Sequence, residues 1–227
     1  MILAMDLETT GLVLWKTPSD DPGQPHIVQF AAKLVDPNTR QAIAAWDLVV
    51  RPDGWIIPPA AIAIHGITQE EAVRLGVKES IVTRTYMDAW ARASVILGYV
   101  PLFDQRIMRI ALLRDGASRR QIEALERKPI VDVMQAATPR CKLPPSSAMM
   151  AAGNNTFKSP TLTQAVRTLL GERVTDAHNA TTDLEMTLRL HWHIQDLTKG
   201  HTPNERPTAN RTEPGGIQDP EGLPQPG

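Results

Sequence analysis

The chain opens on an apolar run, Met1 to Met5, which passes into alternating carboxylate and leucine at Asp6-Leu7-Glu8 and breaks at Thr9-Thr10-Gly11. A short apolar run bounded by a turn signal predicts a strand buried among others, with its acids placed where it leaves the core. Residues i and i+2 of a strand share a face at roughly 6.6 Å between Cα atoms, so Asp6 and Glu8 point the same way. His26 to Val35 and Gln41 to Val50 read as two more strands around the turn Asp36-Pro37-Asn38-Thr39, making strands one to three a meander. Between the first two strands, Thr17 to Pro25 is so rich in Pro, Gly and Asp that it predicts an exposed loop at the rim of the acids.

Further along, Ile56-Ile57-Pro58-Pro59 cannot continue a helix, while Thr68 with Glu71 makes a capping box that starts a short one. A longer helix is expected over about Ser80 to Arg92, then a short apolar strand, Ser94 to Gly98. Asp104 precedes an amphipathic run with Ile107, Ile110, Ala111 and Leu113 at helical spacing, ending at Gly116. Pro129 to Asp132 is strand-like, and Pro139 to Ser159, polar and rich in Pro, Ser and Asn, predicts an irregular loop. Thr161 and Gln164 box a helix that Gly171 stops after Leu170, and a last helix covers about Ala180 to Leu197. Three strands, helices, strand, helix, strand, helices: this order predicts a mixed α/β sheet covered by helices, in one domain over residues 1–198. From Lys199 to Gly227 the chain has many Pro and Gly and almost nothing apolar to bury, so a disordered tail over 199–227 is expected.

Composition narrows the class. A chain of 227 residues can bury a sizeable core, and its formal charge of −1 supplies no general basic field. A polyanionic substrate would have to be attracted by a local basic patch and by bound metal. The single cysteine, Cys141, excludes an internal disulfide and carries no ligand spacing. With no signal peptide and no long apolar span, the expectation is a soluble intracellular (cytoplasmic) protein with no membrane partner.

The chemistry starts from Asp6 and Glu8. Two carboxylates side by side in a half-buried place repel one another and resist desolvation, which a pair of hard divalent cations would relieve. A solvated strand end fits the same stretch. His178 and Asp183 are five positions apart, about 140° around a continuous helix, so they converge only if His178 lies in the loop before it. Asp104 could aim into the same crevice or serve as an N-cap, and His178 and Asp183 each fit an ordinary loop or helix position. His191 and His193 diverge on their helix and make no metal pair. The run Arg119-Arg120 to Arg127-Lys128 reads as a solvated helix face, although with Arg106, Arg109 and Arg114 it could form a positive flank. Most tryptophans read as core, whereas Trp15, in the loop beside the first acids, could stack on a base.

Together, Asp6-x-Glu8-Thr-Thr-Gly, Asp104 after an apolar strand, and His178 with Asp183 in Ala-His-Asn-Ala-Thr-Thr-Asp resemble the three exonuclease motifs of the DnaQ-like DEDDh family. The resemblance runs from Met1 to about Leu197 and includes Ile27-Val28-Gln29-Phe30-Ala31, the Ile64-His65-Gly66-Ile67-Thr68 box and Leu162 to Gly171. It implies a ribonuclease H-like fold, a mixed five-stranded sheet flanked by helices, and 3′-to-5′ exonuclease activity. It further implies that Asp6, Glu8, Asp104 and Asp183 hold two Mg²⁺ or Mn²⁺ ions and that His178 acts as general base on a metal-bound water. A nucleoside 5′-monophosphate would leave, and activity would fall at acid pH as His178 protonates. Thr9, Leu12, His65 and Phe103 match positions near the terminal nucleotide. The implied partner is nucleic acid with single-stranded or frayed 3′ ends, DNA first. RNA trimming, or a catalytically silent nucleic-acid-binding subunit on the same fold, are the alternatives, and neither a polymerase partner nor a homodimer is legible. Members commonly show Gly-His-Asn in the second motif where this chain has Gly98-Tyr99-Val100-Pro101, a departure that bears on substrate preference.

Overall fold

The computed structural model describes residues 1–174 and 178–200; the tail expected to be disordered lies, from residue 201 on, outside the described residues. Five strands form one sheet in the order β3-β2-β1-β4-β5. β1 (Ile2–Thr9), β2 (Ile27–Val35) and β3 (Ala42–Val49) are the antiparallel meander that the sequence pattern predicts. β4 (Val95–Gly98) and β5 (Ile130–Asp132) add on the other side of β1 in parallel. β1 is therefore central, and its apolar residues are buried on both faces. This is the expected ribonuclease H-like α/β arrangement.

The helices divide over the two faces by the period of the strand. Leu3, Met5 and Leu7 pack into one apolar cluster with α3 (Glu79–Arg92), α4 (Pro101–Arg114) and α5 (Arg119–Glu126). Ile2 and Ala4 pack into a second with α6 (Val133–Cys141), α8 (Leu162–Ala165) and α9 (Ala180–Thr198). Asp6 and Glu8 continue the even-numbered row of β1, so they emerge on the side that α9 covers. Burying a side chain as completely as Leu3 or Ile96 contributes roughly 1.5–3 kcal/mol, so the strand bearing the acids is firmly held.

As expected, no helix runs on through Ile56 to Pro58; α1 (Pro59–His65) starts there, because a fixed φ suits the first helical turn, and the boxed α2 (Gln69–Leu75) follows. Two local expectations change. The segment Pro139 to Ser159 is not wholly irregular: α6 runs through Pro139 to Cys141, and Ser146 caps a short α7 (Ser147–Ala151). A proline so near a helix end costs few bonds, and the Thr138 hydroxyl and the Arg140 guanidinium donate to the nearby carbonyls of Met134 and Ala136. The helix boxed by Thr161 and Gln164 begins as predicted but widens into a π turn over Val166–Leu170 before Gly171 ends it.

Candidate active site

β4 stops at Gly98 while β1 runs on, and the ladder between them covers only Ile2 to Ala4 on β1. A crevice opens at the end of the parallel pair, beside the strand whose other neighbour is antiparallel, where ligands of open α/β sheets collect. Gly98 is required by the turn out of this strand: a Cβ there would lie 3.3 Å from Pro101 and 3.4 Å from the Met5 carbonyl oxygen. α4 starts at once at Pro101, so Asp104 sits in the first turn of α4, not at its N-cap. It is buried and accepts the backbone N–H of Leu7 on β1.

The structure brings Asp6, Glu8 and Asp183 together, with one carboxylate oxygen from each lying within 4.8 Å of the others. Asp104, on α4, lies outside that trio, but near enough for its charge to raise Asp6 and for the charge of Glu8 to raise Asp104. Burial, then the charges of Asp104, Asp183 and Glu8, lift the Asp6 carboxyl well above the usual carboxylate range. Asp104 is raised by burial and by Glu8, against its own N–H and that of Leu7. Glu8 is pushed up to about 7 by burial and by Asp183. Asp183 is raised by burial, opposed by the backbone N–H and the charge of His178, and its Oδ1 has no hydrogen-bond partner among the described residues. Four acids that resist ionisation at one point, one with an orphaned oxygen, fit a hard divalent cation. These residues supply oxygen ligands only, the set that suits Mg²⁺ or Mn²⁺.

His178 lies where the spacing argument requires, in the segment before α9. It is exposed, and its φ of 73° places it in the left-handed region that few side chains adopt. The reason is local: Asn179 caps α9 by accepting the N–H groups of Thr181 and Thr182, and the chain must turn sharply to reach that cap. Asp183 falls in the first turn of α9, facing β1.

Thr9, Leu12, His65 and Phe103 meet in a pocket of about 280 Å³ next to Glu8, together with Ala60 and Ile64 of α1. Leu12 is 83% exposed, an apolar side chain held in the open at the pocket mouth. His65 is buried, its Nδ1 accepts the Ile67 N–H, and burial lowers its pKa. The ring therefore stays neutral with its proton on Nε2, a buried donor that no described residue satisfies.

One positioning residue escapes the sequence reading. Gln29, buried on β2 opposite Glu8, accepts the Ala180 N–H at 3.1 Å and donates to Asp47 at 2.8 Å. Its signal was a lone amide inside the apolar run Ile27-Val28-Gln29-Phe30, since a buried polar side chain needs partners. His191 is buried on α9 beside Gln195 and Trp192. Cys141 is buried and its thiol is raised by that burial. No helix among the described residues is long and apolar enough to cross a membrane.

A family model described as an exonuclease, RNase_T, matches residues 3–191. Solved structures of similar fold include Escherichia coli exonuclease I with zinc and single-stranded DNA, with a TM-score of 0.65 and 21% identity over 88% of this chain and 41% of that one. The same enzyme with a dA16 oligonucleotide gives 0.62 and 21%, over 86% of this chain and 40% of that one. A moderately thermophilic exonuclease I from Methylocaldum szegediense gives 0.63 and 20%, over 88% and 41%. The chain thus spans about two-fifths of the length of these proteins. Among curated protein sequences none matches.

Proposed function

Since this chain belongs to the exonuclease family matched along residues 3–191, we propose that it removes nucleotides from the 3′ end of single-stranded DNA, with Asp6, Glu8, Asp104 and Asp183 holding two divalent cations and His178 as general base. The observation that carries the reading is the convergence of the Asp6, Glu8 and Asp183 carboxylates from β1 and α9, with Asp104 of α4 near enough to raise Asp6 by its charge. Mg²⁺ or Mn²⁺ bound there would lower the pKa of a water and stabilise charge on the leaving oxygen.

The chain's own residues supply the rest. His178 takes a proton from the attacking water as that oxygen bonds to phosphorus, the bond from phosphorus to the penultimate 3′-oxygen breaks, and that oxygen takes a proton from solvent as it leaves while His178 returns its own to solvent. A nucleoside 5′-monophosphate and a strand one residue shorter result. The backbone N–H and charge of His178 both act to lower the Asp183 pKa, which keeps the base electrostatically coupled to a ligand. Leu12 and Phe103 offer apolar faces for the terminal base, and the His65 Nε2 proton awaits an acceptor on the same nucleotide. Single-stranded DNA is chosen over RNA because the E. coli relative is seen with it.

Labelled DNA and RNA oligonucleotides, incubated with Mg²⁺ or Mn²⁺ and resolved on a gel, test this. A ladder shortening from the 3′ end of single-stranded DNA, absent with EDTA, is expected. Cleavage confined to RNA would move the substrate, and intact strands of both kinds would leave only a binding role.

A further inference from the structure

Beside the pocket for the terminal nucleotide lies a larger one of about 340 Å³. One wall is the stripe Leu102, Gln105, Arg106 and Arg109, spaced i, i+3, i+4 and i+7 on α4, and another is Trp15. The two linings are partitioned between neighbouring residues of the same two segments. Leu12 and Phe103 line the first, while Trp15, three residues on in the same loop, and Leu102, next to Phe103, line the second. Trp15 is 60% exposed although it stands over the buried Ile122 and Tyr86 at the pocket floor.

The polar side of this pocket is cationic and under-satisfied. Arg106 donates to the Thr17 carbonyl, and Arg109 pairs with Glu126. Burial and then the neighbouring Arg109 lower the Arg106 pKa, as expected of a crowded cation. Arg106 Nε, Arg109 Nε and Gln105 Nε2 find no acceptor among the described residues. An aromatic face, an apolar floor and a cationic edge are together complementary to one nucleotide: base on Trp15, phosphate toward the arginines.

We propose that this pocket holds an internal nucleotide of the strand whose 3′ end occupies the site at Glu8. It lets the loop before β2 and the stripe on α4 grip the strand between successive cuts. The identity of the ligand rests on the exonuclease reading; the pocket and its partition do not.

The test is anisotropy of 5′-labelled dT10 at fixed salt, with Ca²⁺ in place of Mg²⁺, beside calorimetric titration of dTMP, which can fill only the terminal-nucleotide pocket. Trp15→Ala and Arg109→Gln are each expected to weaken dT10 about tenfold and to leave dTMP as in the wild type. Arg119→Gln, 94% exposed on α5, should leave both affinities alone. Equal losses on dTMP and dT10, wild-type affinity for dT10 in both variants, or a loss from Arg119→Gln would overturn the proposal. If binding follows the expected pattern yet no strand is cut with Mg²⁺, the exonuclease reading fails and the subsite stands.

Discussion

Gln29 and Ala180, 151 positions apart, are joined by the Ala180 N–H donating to the Gln29 side-chain oxygen. Through this bond the first turn of α9, which carries Asp183, is fixed to the strand that pairs with Glu8. Gln29→Leu should leave a buried N–H unsatisfied at a cost of about 1–3 kcal/mol. It should also lower cation affinity and kcat about 10–100-fold, with KM for oligonucleotides little changed. Parallel Mn²⁺ titration and steady-state kinetics check this; a stability loss with unchanged kcat would make Gln29 structural only.

Asp6→Asn separates function from stability. It keeps the shape and removes a charge that Asp104, Asp183 and Glu8 all oppose. Without metal the variant should melt higher than the wild type, by about 2–4 °C for each kcal/mol of repulsion relieved. Hydrolysis should fall about a thousandfold or more, because several kcal/mol of charge stabilisation is lost. Thermal melts in EDTA beside an oligonucleotide assay give both readouts, and a lower melting point would mean that the acids are not in conflict.

The same repulsion sets a pH dependence. A carboxyl whose folded pKa is raised favours folding only while protonated, so stability is lost as pH rises from the unfolded pKa through the folded one. Glu8 is pushed up to about 7, and Asp6 and Asp104 are raised well above the usual range. His191, lowered to about 4, and His65, also lowered, act in the opposite sense below about 6.5, the ordinary histidine value. Between pH 6.5 and 8 the carboxylates should therefore dominate, and the melting point in EDTA should fall as pH rises. Mn²⁺ at about 100 times its Kd should restore about 2.7 kcal/mol, more effectively at pH 8 than at 6.5. A melting point that climbs over this window in EDTA would contradict the cluster.

His178→Asn isolates chemistry from backbone. Asparagine tolerates the left-handed conformation seen at φ 73° better than most residues, so the fold and the N–H to Asp183 should persist. Loss of a general base should cost about 10²–10⁴ in kcat while cation affinity stays that of the wild type. Wild-type kcat in the variant would assign the proton transfer elsewhere.

Much of this was legible in the sequence because strand period and helix caps are local signals. Asp6 and Glu8 declared a common face by their spacing, and the boxes at Thr68 and Thr161 marked helix starts. Asp104 was readable as an acid after a strand, but its depth below the surface is decided by where β4 stops against β1, a tertiary fact. Pro139 misled because composition reports a helix breaker without its position, two residues from the end of α6, where few bonds remain to be lost. Gln29 and the pocket beneath Trp15 were hidden for another reason: their partners come from segments remote in the chain, and no period or spacing connects them.

The central claim is that the four carboxylates exist to share cations. Its most direct test is calorimetric titration of Mn²⁺ into the wild-type chain and into Asp6→Asn at pH 7.5. Two saturable sites in the wild type, with binding collapsed in the variant, are predicted; no saturable binding, or a variant that binds as the wild type does, would contradict the account.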